Sequence, residues 1–322
     1  MKRYIALIVV VTIAIILFVT VVTPEVVVTV ADADSVTSAE GVFWTDDYFT
    51  VDYIDGSTIG IGEPRYYQKN LSYLIVGKER ALLFDTGAGQ EDLSELVGSL
   101  TNLPITALPS HLHYDHVGSW RHFGQKALVD LPTTRAQVNK AGQFQPTTLQ
   151  YLGRFEGQSF APVIIDQWLP PGSRIDLGER ELVVMSIPGH TKEAIALYDE
   201  TYDYLFVGDH LYPGELFAFL PGADLGEYLR STRELVKAVT DETLLLPGHG
   251  SPDEEEFLKV RQLLQLSDLY DLQRTLEDIA AGTKTTNGLL PVYRVNERIT
   301  LLTHFSWQQD WETYQPSSLP KP

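Results

Sequence analysis

The stretch His111-Leu112-His113-Tyr114-Asp115-His116 places three of the eight histidines of this 322-residue chain beside a carboxylate. Side chains alternate along an extended segment, so we expect His111, His113 and Asp115 to project from one side and His116 from the other. Imidazole and carboxylate groups together suit borderline divalent metals, and zinc above all. The stretch therefore predicts a metal site.

Composition limits the kinds of partner and ligand. The formal net charge of −19 argues against nucleic acid as a partner, because phosphate binding needs clustered lysine and arginine. A hydrophobic content of 44% is ordinary for a globular protein with a sizeable core. There are no cysteines, so a metal site must be built from His, Asp and Glu. The expected partner is a small-molecule substrate.

The N-terminus carries a membrane signal. Lys2 and Arg3 precede an uncharged run, Tyr4 to Thr23, whose 20 residues would span about 30 Å as a helix. We expect residues 1–30 to remain as a transmembrane anchor, with the basic end cytoplasmic and the rest of the chain extracytoplasmic. Ala31-Asp32-Ala33 supports the alternative, a cleaved signal peptide and a secreted protein.

The other boundaries follow from composition. Residues 31–41 are small and polar, and we expect them to form a linker. Residues 42–305 would then form the folded domain, and residues 306–322 a C-terminal tail.

Strand patterns alternate with helical ones along the folded domain. Strands are expected at 48–53 and 58–61 around the Asp55-Gly56 turn, and again at 71–76, 80–85 and 105–108. Helical spacing is seen at 90–100. Helices with a capping box are predicted at 225–239, after Asp224, and at 252–280, after Ser251. The rhythm predicts two sheets covered by helices on the outside.

Four further polar motifs stand where a predicted strand meets a loop. They are Phe84-Asp85-Thr86-Gly87, Pro188-Gly189-His190-Thr191, Gly208-Asp209 and Pro247-Gly248-His249-Gly250. A glycine adjoins the polar residue in most of them and permits a tight turn. Rigid strand ends hold such side chains more precisely than free loops do.

This ordered set of motifs, from 82–87 to 247–250, resembles the metallo-β-lactamase superfamily. The resemblance covers roughly Phe49 to Val260, and it implies an α/β fold, the αββα sandwich, for this part of the chain. Two positions depart from the usual pattern, Ser110 before the first histidine and Ser119 after Gly118. We expect neither serine to contact a ligand.

The resemblance implies a ligand set for two zinc ions per chain. His111, His113 and His190 would hold the first metal; Asp115, His116 and His249 would hold the second; Asp209 would bridge them. The set is more similar to those of glyoxalase II and the acyl-homoserine lactonases than to that of the largest group of zinc β-lactamases, which uses a cysteine.

The resemblance also implies catalytic roles. Asp115 would help to position the nucleophilic water or accept its proton, and Asp85 would support the site through hydrogen bonds. Tyr212, three residues after Asp209, would donate a hydrogen bond to the oxyanion or leaving group. A packed aromatic side chain is the alternative interpretation for Tyr212.

The function expected from these residues is metal-dependent hydrolysis of an ester, thioester or lactone bond. A phosphodiesterase or phosphocholine-type esterase is a second possibility, since two-metal sites also clamp phosphoryl oxygens. A mononuclear-iron persulfide dioxygenase would leave the second ligand set idle, and a metal-free anchored binding module would leave both idle. Residues around 142–160, rich in Gln, Thr and Phe, are expected to shape specificity.

Overall fold

The structure, a computed structural model, describes residues 42–304 except 260, 262 and 287–290. These residues belong to the larger of the two units into which the chain divides, 37–322. The predicted anchor, linker and C-terminal tail lie outside the described residues. Within the described ranges, no helix combines the length and the apolar character needed to cross a bilayer.

The first sheet has eight strands that follow one another in chain order. They are β1 Val42–Trp44, β2 Thr50–Tyr53, β3 Thr58–Gly62, β4 Leu71–Val76, β5 Ala81–Phe84, β6 Ile105–Leu108, β7 Gln125–Val129 and β8 Gln167–Leu169. Strands β1 to β5 pair antiparallel, and β5 to β8 pair parallel. The hairpin predicted around Asp55-Gly56 and the strand predicted before the histidine stretch are confirmed.

The second sheet has five strands, and a third, smaller sheet has three. The strands are β9 Arg174–Asp176, β10 Glu181–Ser186, β11 Ile195–Asp199, β12 Tyr204–Gly208, β13 Gly214–Ala218, β14 Leu244–Pro247, β15 Val292–Arg294 and β16 Ile299–Thr303. The spatial orders are β14-β12-β11-β10-β9 and β13-β16-β15. Strand β14 runs parallel to β12, whereas β9 to β12 pair antiparallel.

The α-helices of the described residues, in chain order, are α1 Leu93–Leu100, α2 Pro132–Arg135, α3 Thr148–Tyr151, α4 Leu225–Ala238, α5 Glu254–Lys259 and α6 Leu266–Ala280. Short 3₁₀ turns occupy Trp120–His122 and Gly153–Glu156. The predicted cap of α4 is confirmed, because the Asp224 carboxylate accepts from the backbone N–H of Glu227 at 2.8 Å.

The single helix predicted over 252–280 is wrong, because the structure has two helices there, α5 and α6. Between them, Leu264 forms an isolated antiparallel bridge with Leu245 of β14. The backbone at Gln265, the N-cap residue of α6, is extended (ψ 150°). Its N–H donates to the Asp268 carboxylate, a contact that stabilises the first turn of α6. The spacing of apolar side chains is therefore helical on both sides of Leu264, although the backbone at Leu264 pairs with strand β14.

The two large sheets pack face to face with helices on the outside. The ring of Phe206 in β12 lies 5.2 Å from Tyr73 in β4 and 6.3 Å from Phe84 in β5, centroid to centroid. Helices α4 and α6 share one apolar core with the second sheet, including Leu229, Leu272 and their neighbours. The sandwich of sheets predicted from the sequence is confirmed.

Candidate metal centre

The polar motifs converge because they follow strands that end at one edge of the sandwich. His111 comes after β6, His190 after β10, Asp209 after β12 and His249 after β14. The carboxyl ends of parallel strands meet at a common edge, which is where open α/β folds place their sites. The turn before His249 is close: a Cβ on Gly248 would lie 2.7 Å from Asp209 Oδ1, so only glycine fits there.

The histidine stretch itself is a turn and not an extended segment. Strand β6 ends at Leu108, and the N–H of His116 donates to the carbonyl of His113 at 3.1 Å. This turn brings the ring of His116 to within 4.1 Å of the ring of His111. The prediction that His116 projects away from the other three polar side chains is therefore wrong, and all four face one centre.

Four buried residues form a first group of ligand atoms, namely His111, His113, His190 and Asp209. His113 Nδ1 lies 2.9 Å from His111 Nε2 and 3.0 Å from His190 Nε2. Asp209 Oδ2 lies 3.8 Å from His111 Nε2 and 3.6 Å from His190 Nε2.

Three buried residues form a second group, namely Asp115, His116 and His249. Asp115 Oδ2 lies 3.4 Å from His116 Nε2 and 3.5 Å from His249 Nε2. Asp209 faces this group through Oδ1, at 3.2 Å from His116 Nε2 and 3.1 Å from His249 Nε2, and its Oδ2 also lies 3.2 Å from His249 Nε2. The carboxylate of Asp209 thus lies between the two groups.

Three of these histidines have an oxygen outside the centre as the partner of Nδ1. The pairs are His116 with Asp85 Oδ2 at 2.9 Å, His190 with the Phe217 carbonyl at 2.8 Å, and His249 with the Gln68 carbonyl at 2.8 Å. A carbonyl accepts only, as does an ionised carboxylate, so Nδ1 of each ring carries the proton. In the neutral imidazole, Nε2 then directs a lone pair into the centre.

Lone pairs that face one another at such distances need a proton or a metal ion between them. His116 Nε2 and Asp209 Oδ1 are buried, and within the described part of the chain neither has a hydrogen-bond partner. Two ligands at about 2.0–2.1 Å from one zinc ion, at tetrahedral angles, lie roughly 3.3 Å apart. The separations within both groups scatter around this value. The residues present therefore fit divalent metal ions.

The structure shows supporting contacts that the sequence did not indicate. Ser110 Oγ lies 3.0 Å from His111 Nδ1, so the expectation that this serine contacts no ligand is wrong. Asn70 Nδ2 donates to Asp115 Oδ2 at 3.1 Å. The expected support from Asp85 is confirmed, because its Oδ2 is the partner of His116 Nδ1. Its Oδ1 accepts the Ser110 N–H, and its backbone adopts φ 64°, a strained conformation for a non-glycine residue.

The imidazoles of the first group resist protonation. Burial lowers the pKa of His111 well below its usual value, and the neighbouring imidazoles add to this effect. The same causes lower the pKa of His113 to about 3. Burial also lowers the pKa of His190, although the Asp209 carboxylate opposes it. These rings are neutral near pH 7 and ready to bind a metal.

The imidazoles of the second group behave in the opposite way. Burial disfavours the charged form of His116, but Asp209, Asp115 and their neighbours outweigh it and raise its pKa well above the usual value. Burial likewise opposes protonation of His249, and the same two carboxylates raise its pKa. Protons therefore compete for the second group more strongly than for the first.

We expect the metal affinity of the second group to depend more steeply on pH than that of the first. Metal binding must displace protons from His116 and His249. For each proton displaced, the metal affinity falls about tenfold for every pH unit below the pKa of that ring. Lowering the pH should release metal from the second group before it releases metal from the first. Metal content after dialysis at each pH measures this, and loss from both groups at the same pH would contradict it.

Tyr212 lies beside the second group, with its ring 4.9 Å from that of His249. Its side chain is buried, and its hydroxyl donates to the carbonyl of Glu215 at 2.6 Å. In this arrangement the hydroxyl points to the backbone of Glu215 in β13, and the catalytic role of Tyr212 stays a prediction.

Comparison with known proteins agrees with this geometry. The family model described as the metallo-beta-lactamase superfamily matches residues 68–249, more than half of the chain. The chain belongs to this superfamily. The match begins at Gln68 and ends at His249, the two residues joined by a hydrogen bond at the second group.

Curated relatives in the superfamily carry the names of hydrolases. Acyl-coenzyme A thioesterase MBLAC2 of Homo sapiens is 28% identical over 240 residues, 65% of this chain and 78% of that protein. Hydroxyacylglutathione hydrolase GloC of Haemophilus influenzae is 26% identical over 188 residues, 58% of this chain and 87% of that protein. The chain is accordingly an enzyme, a hydrolase of the metallo-β-lactamase fold.

Solved structures support the fold. A metallo-beta-lactamase from Pontibacter korlensis superposes with a TM-score of 0.53 and 20% sequence identity, over 71% of this chain and 99% of that chain. The DIM-1 metallo-beta-lactamase superposes with a TM-score of 0.52 and 14% identity, over 72% and 98%. At these identities the likeness concerns the fold alone.

Proposed function

We propose that this superfamily member is a two-metal hydrolase of acyl compounds, and that a thioester is its preferred substrate among thioesters, esters and lactones. The position of Asp209 carries the two-metal part of the proposal, because this one carboxylate lies within 3.6 Å of a histidine nitrogen of each ligand group. The names of the relatives support the substrate class: acyl-coenzyme A and hydroxyacylglutathione both denote an acyl group on a thiol carrier.

The roles of the residues follow from their contacts. The first and second groups would each hold one divalent ion, with Asp209 between them, and zinc suits the nitrogen and oxygen donors. Such ions, when bound, supply Lewis acidity and a water acidic enough to attack at neutral pH. Asp115 Oδ2 faces the second group, so we assign the acceptance of the water's proton to its other oxygen, Oδ1.

A cleft of about 260 Å³ is the proposed place for part of the substrate. Its lining includes Val117 and Gly118, which directly follow His116 in the chain. Tyr151 and residues 158–161 also line it, and they belong to or adjoin the segment expected to shape specificity. The cleft is mostly polar, which suits the carrier half of a substrate more than a long acyl chain.

The experiment that tests the function combines metal analysis with a substrate panel. The purified chain, loaded with Zn²⁺ and dialysed, is expected to retain about two ions and to hydrolyse acyl thioesters faster than matched esters, lactones, β-lactams or phosphodiesters. Retention of one iron with oxygen consumption on a persulfide, or a preference for phosphodiesters, would overturn the proposal.

A Tyr212→Phe variant tests the proposed hydrogen bond to the substrate. We expect turnover to fall roughly 10²-fold, the usual cost of one oxyanion donor, with two metal ions retained. For this role the Tyr212 hydroxyl must exchange the Glu215 carbonyl for the substrate as its acceptor. Catalytic hydrogen bonds often form only once the substrate is bound. Tyr270→Phe, at an exposed position, is the control. An unchanged rate would make Tyr212 a packing residue.

A further inference from the structure

Asn70 is a buried amide that contacts the second group. Its Nδ2 donates to the backbone oxygen of Asp115 at 2.9 Å and to the carboxylate Oδ2 of the same residue at 3.1 Å. Asp115 Oδ2 is the oxygen that faces His116 and His249. A carboxylate oxygen has two lone pairs, so Oδ2 can accept from the amide and still direct one lone pair into the centre. The amide thus holds Asp115 at two points.

The backbone around Asn70 makes a second connection, to His249. Asn70 pairs with His249 in an isolated antiparallel bridge, and the Gly250 N–H donates to the Lys69 carbonyl at 2.9 Å. The Gln68 carbonyl accepts from His249 Nδ1 and fixes the direction of that ring. One short segment just before β4 therefore orients two of the three members of the second group.

The first group takes its outer contacts from other elements. Ser110, after β6, lies against His111, and Phe217 in β13 accepts from His190 Nδ1. Asp85 contacts both halves of the centre, through Ser110 and His116, but the segment that contains Asn70 contacts only the second group among these residues, so a change at Asn70 is expected to act on that half.

We propose that Asn70 is a positioning residue for the second metal ion, and that the first ion binds without it. The inference rests on the proposed two-metal function. Asp115 and Asp209 are like charges that face the same pair of imidazoles. Without the amide, the buried Asp115 carboxylate loses a donor that offsets this repulsion and fixes its rotamer. The Asp115 carboxylate is then no longer held in the position from which it can bind the second metal ion.

The test compares the metal content and the two metal affinities of matched variants of the full chain. Asn70→Ala removes the amide, and Asn70→Leu removes it while keeping a side chain of similar size. Ser72→Ala, a buried polar change two residues further along in β4, is the control. The purified proteins are loaded with Zn²⁺ and dialysed, and competition with a chromophoric chelator then gives one affinity for each ion.

Both Asn70 variants are expected to retain about one Zn²⁺ ion, with the second affinity weakened about 10–100-fold and the first unchanged. The Ser72→Ala protein should retain two. Wild-type affinities in both Asn70 variants, or equal weakening of both ions, would overturn the inference, since equal weakening is what general damage to β4 produces. A wild-type chain with only one ion would instead overturn the proposed two-metal function itself.

Discussion

Replacement of Asp209 by asparagine is expected to reduce kcat/KM at least about 10³-fold and to lower the metal content of both groups. The variant keeps the size of the side chain but removes the negative charge that both groups share. Loss of about 4 kcal/mol of transition-state stabilisation, in the range that a metal site supplies, corresponds to a factor of roughly 10³. Steady-state kinetics on an acyl thioester and metal analysis measure the two effects.

Asp130→Asn is the matched control for this change. Asp130 pairs with Arg135 at the surface, at 2.7 Å. Such exposed pairs contribute at most about 1 kcal/mol to stability, so this variant should retain its metal and its activity. An Asp209→Asn protein with two bound ions and wild-type turnover would show that the carboxylate does not bridge the centre.

The seven residues of the candidate centre were predicted from the resemblance of the ordered motifs, and their places in the chain explain why the fold brings them together. Each follows a strand or lies in the histidine stretch, and a sheet brings strand ends together whatever the loops between them do. Rules for local conformation were less reliable within the stretch. They assigned an extended backbone to His111–His116, whereas a turn stabilised by tertiary contacts points His116 to the same centre.

Apart from Asp85, the supporting residues could not be found in this way. Asn70 lies 45 positions before Asp115, and Gln68 lies 181 positions before His249. Asparagine and glutamine just before a strand have the composition of an ordinary turn, so nothing local indicates a role. The break between α5 and α6 has a similar cause, because Leu264 is drawn into a bridge with Leu245 that the helical pattern cannot reveal.

Removal of the metal ions with a chelator is expected to lower the melting temperature of the wild-type chain by about 10 °C. A ligand present at 1,000 times its Kd stabilises the folded state by about 4.1 kcal/mol, and 1 kcal/mol shifts the melting temperature of a domain of this size by roughly 2–4 °C. Without a metal ion, the buried carboxylates of Asp115 and Asp209 depend on protons bound by His116 and His249 for opposite charge. Thermal unfolding followed by circular dichroism, with and without chelator, measures the shift.

The Asp209→Asn variant provides the internal control for this stability effect. If it has already lost its metal, its melting temperature should be low and the chelator should change it little. Re-addition of Zn²⁺ to the stripped wild-type chain should restore both the melting temperature and turnover. A wild-type protein that melts at the same temperature in both conditions would mean that the buried charges of the centre are balanced within the chain, so that these seven side chains form a polar core and not a metal site.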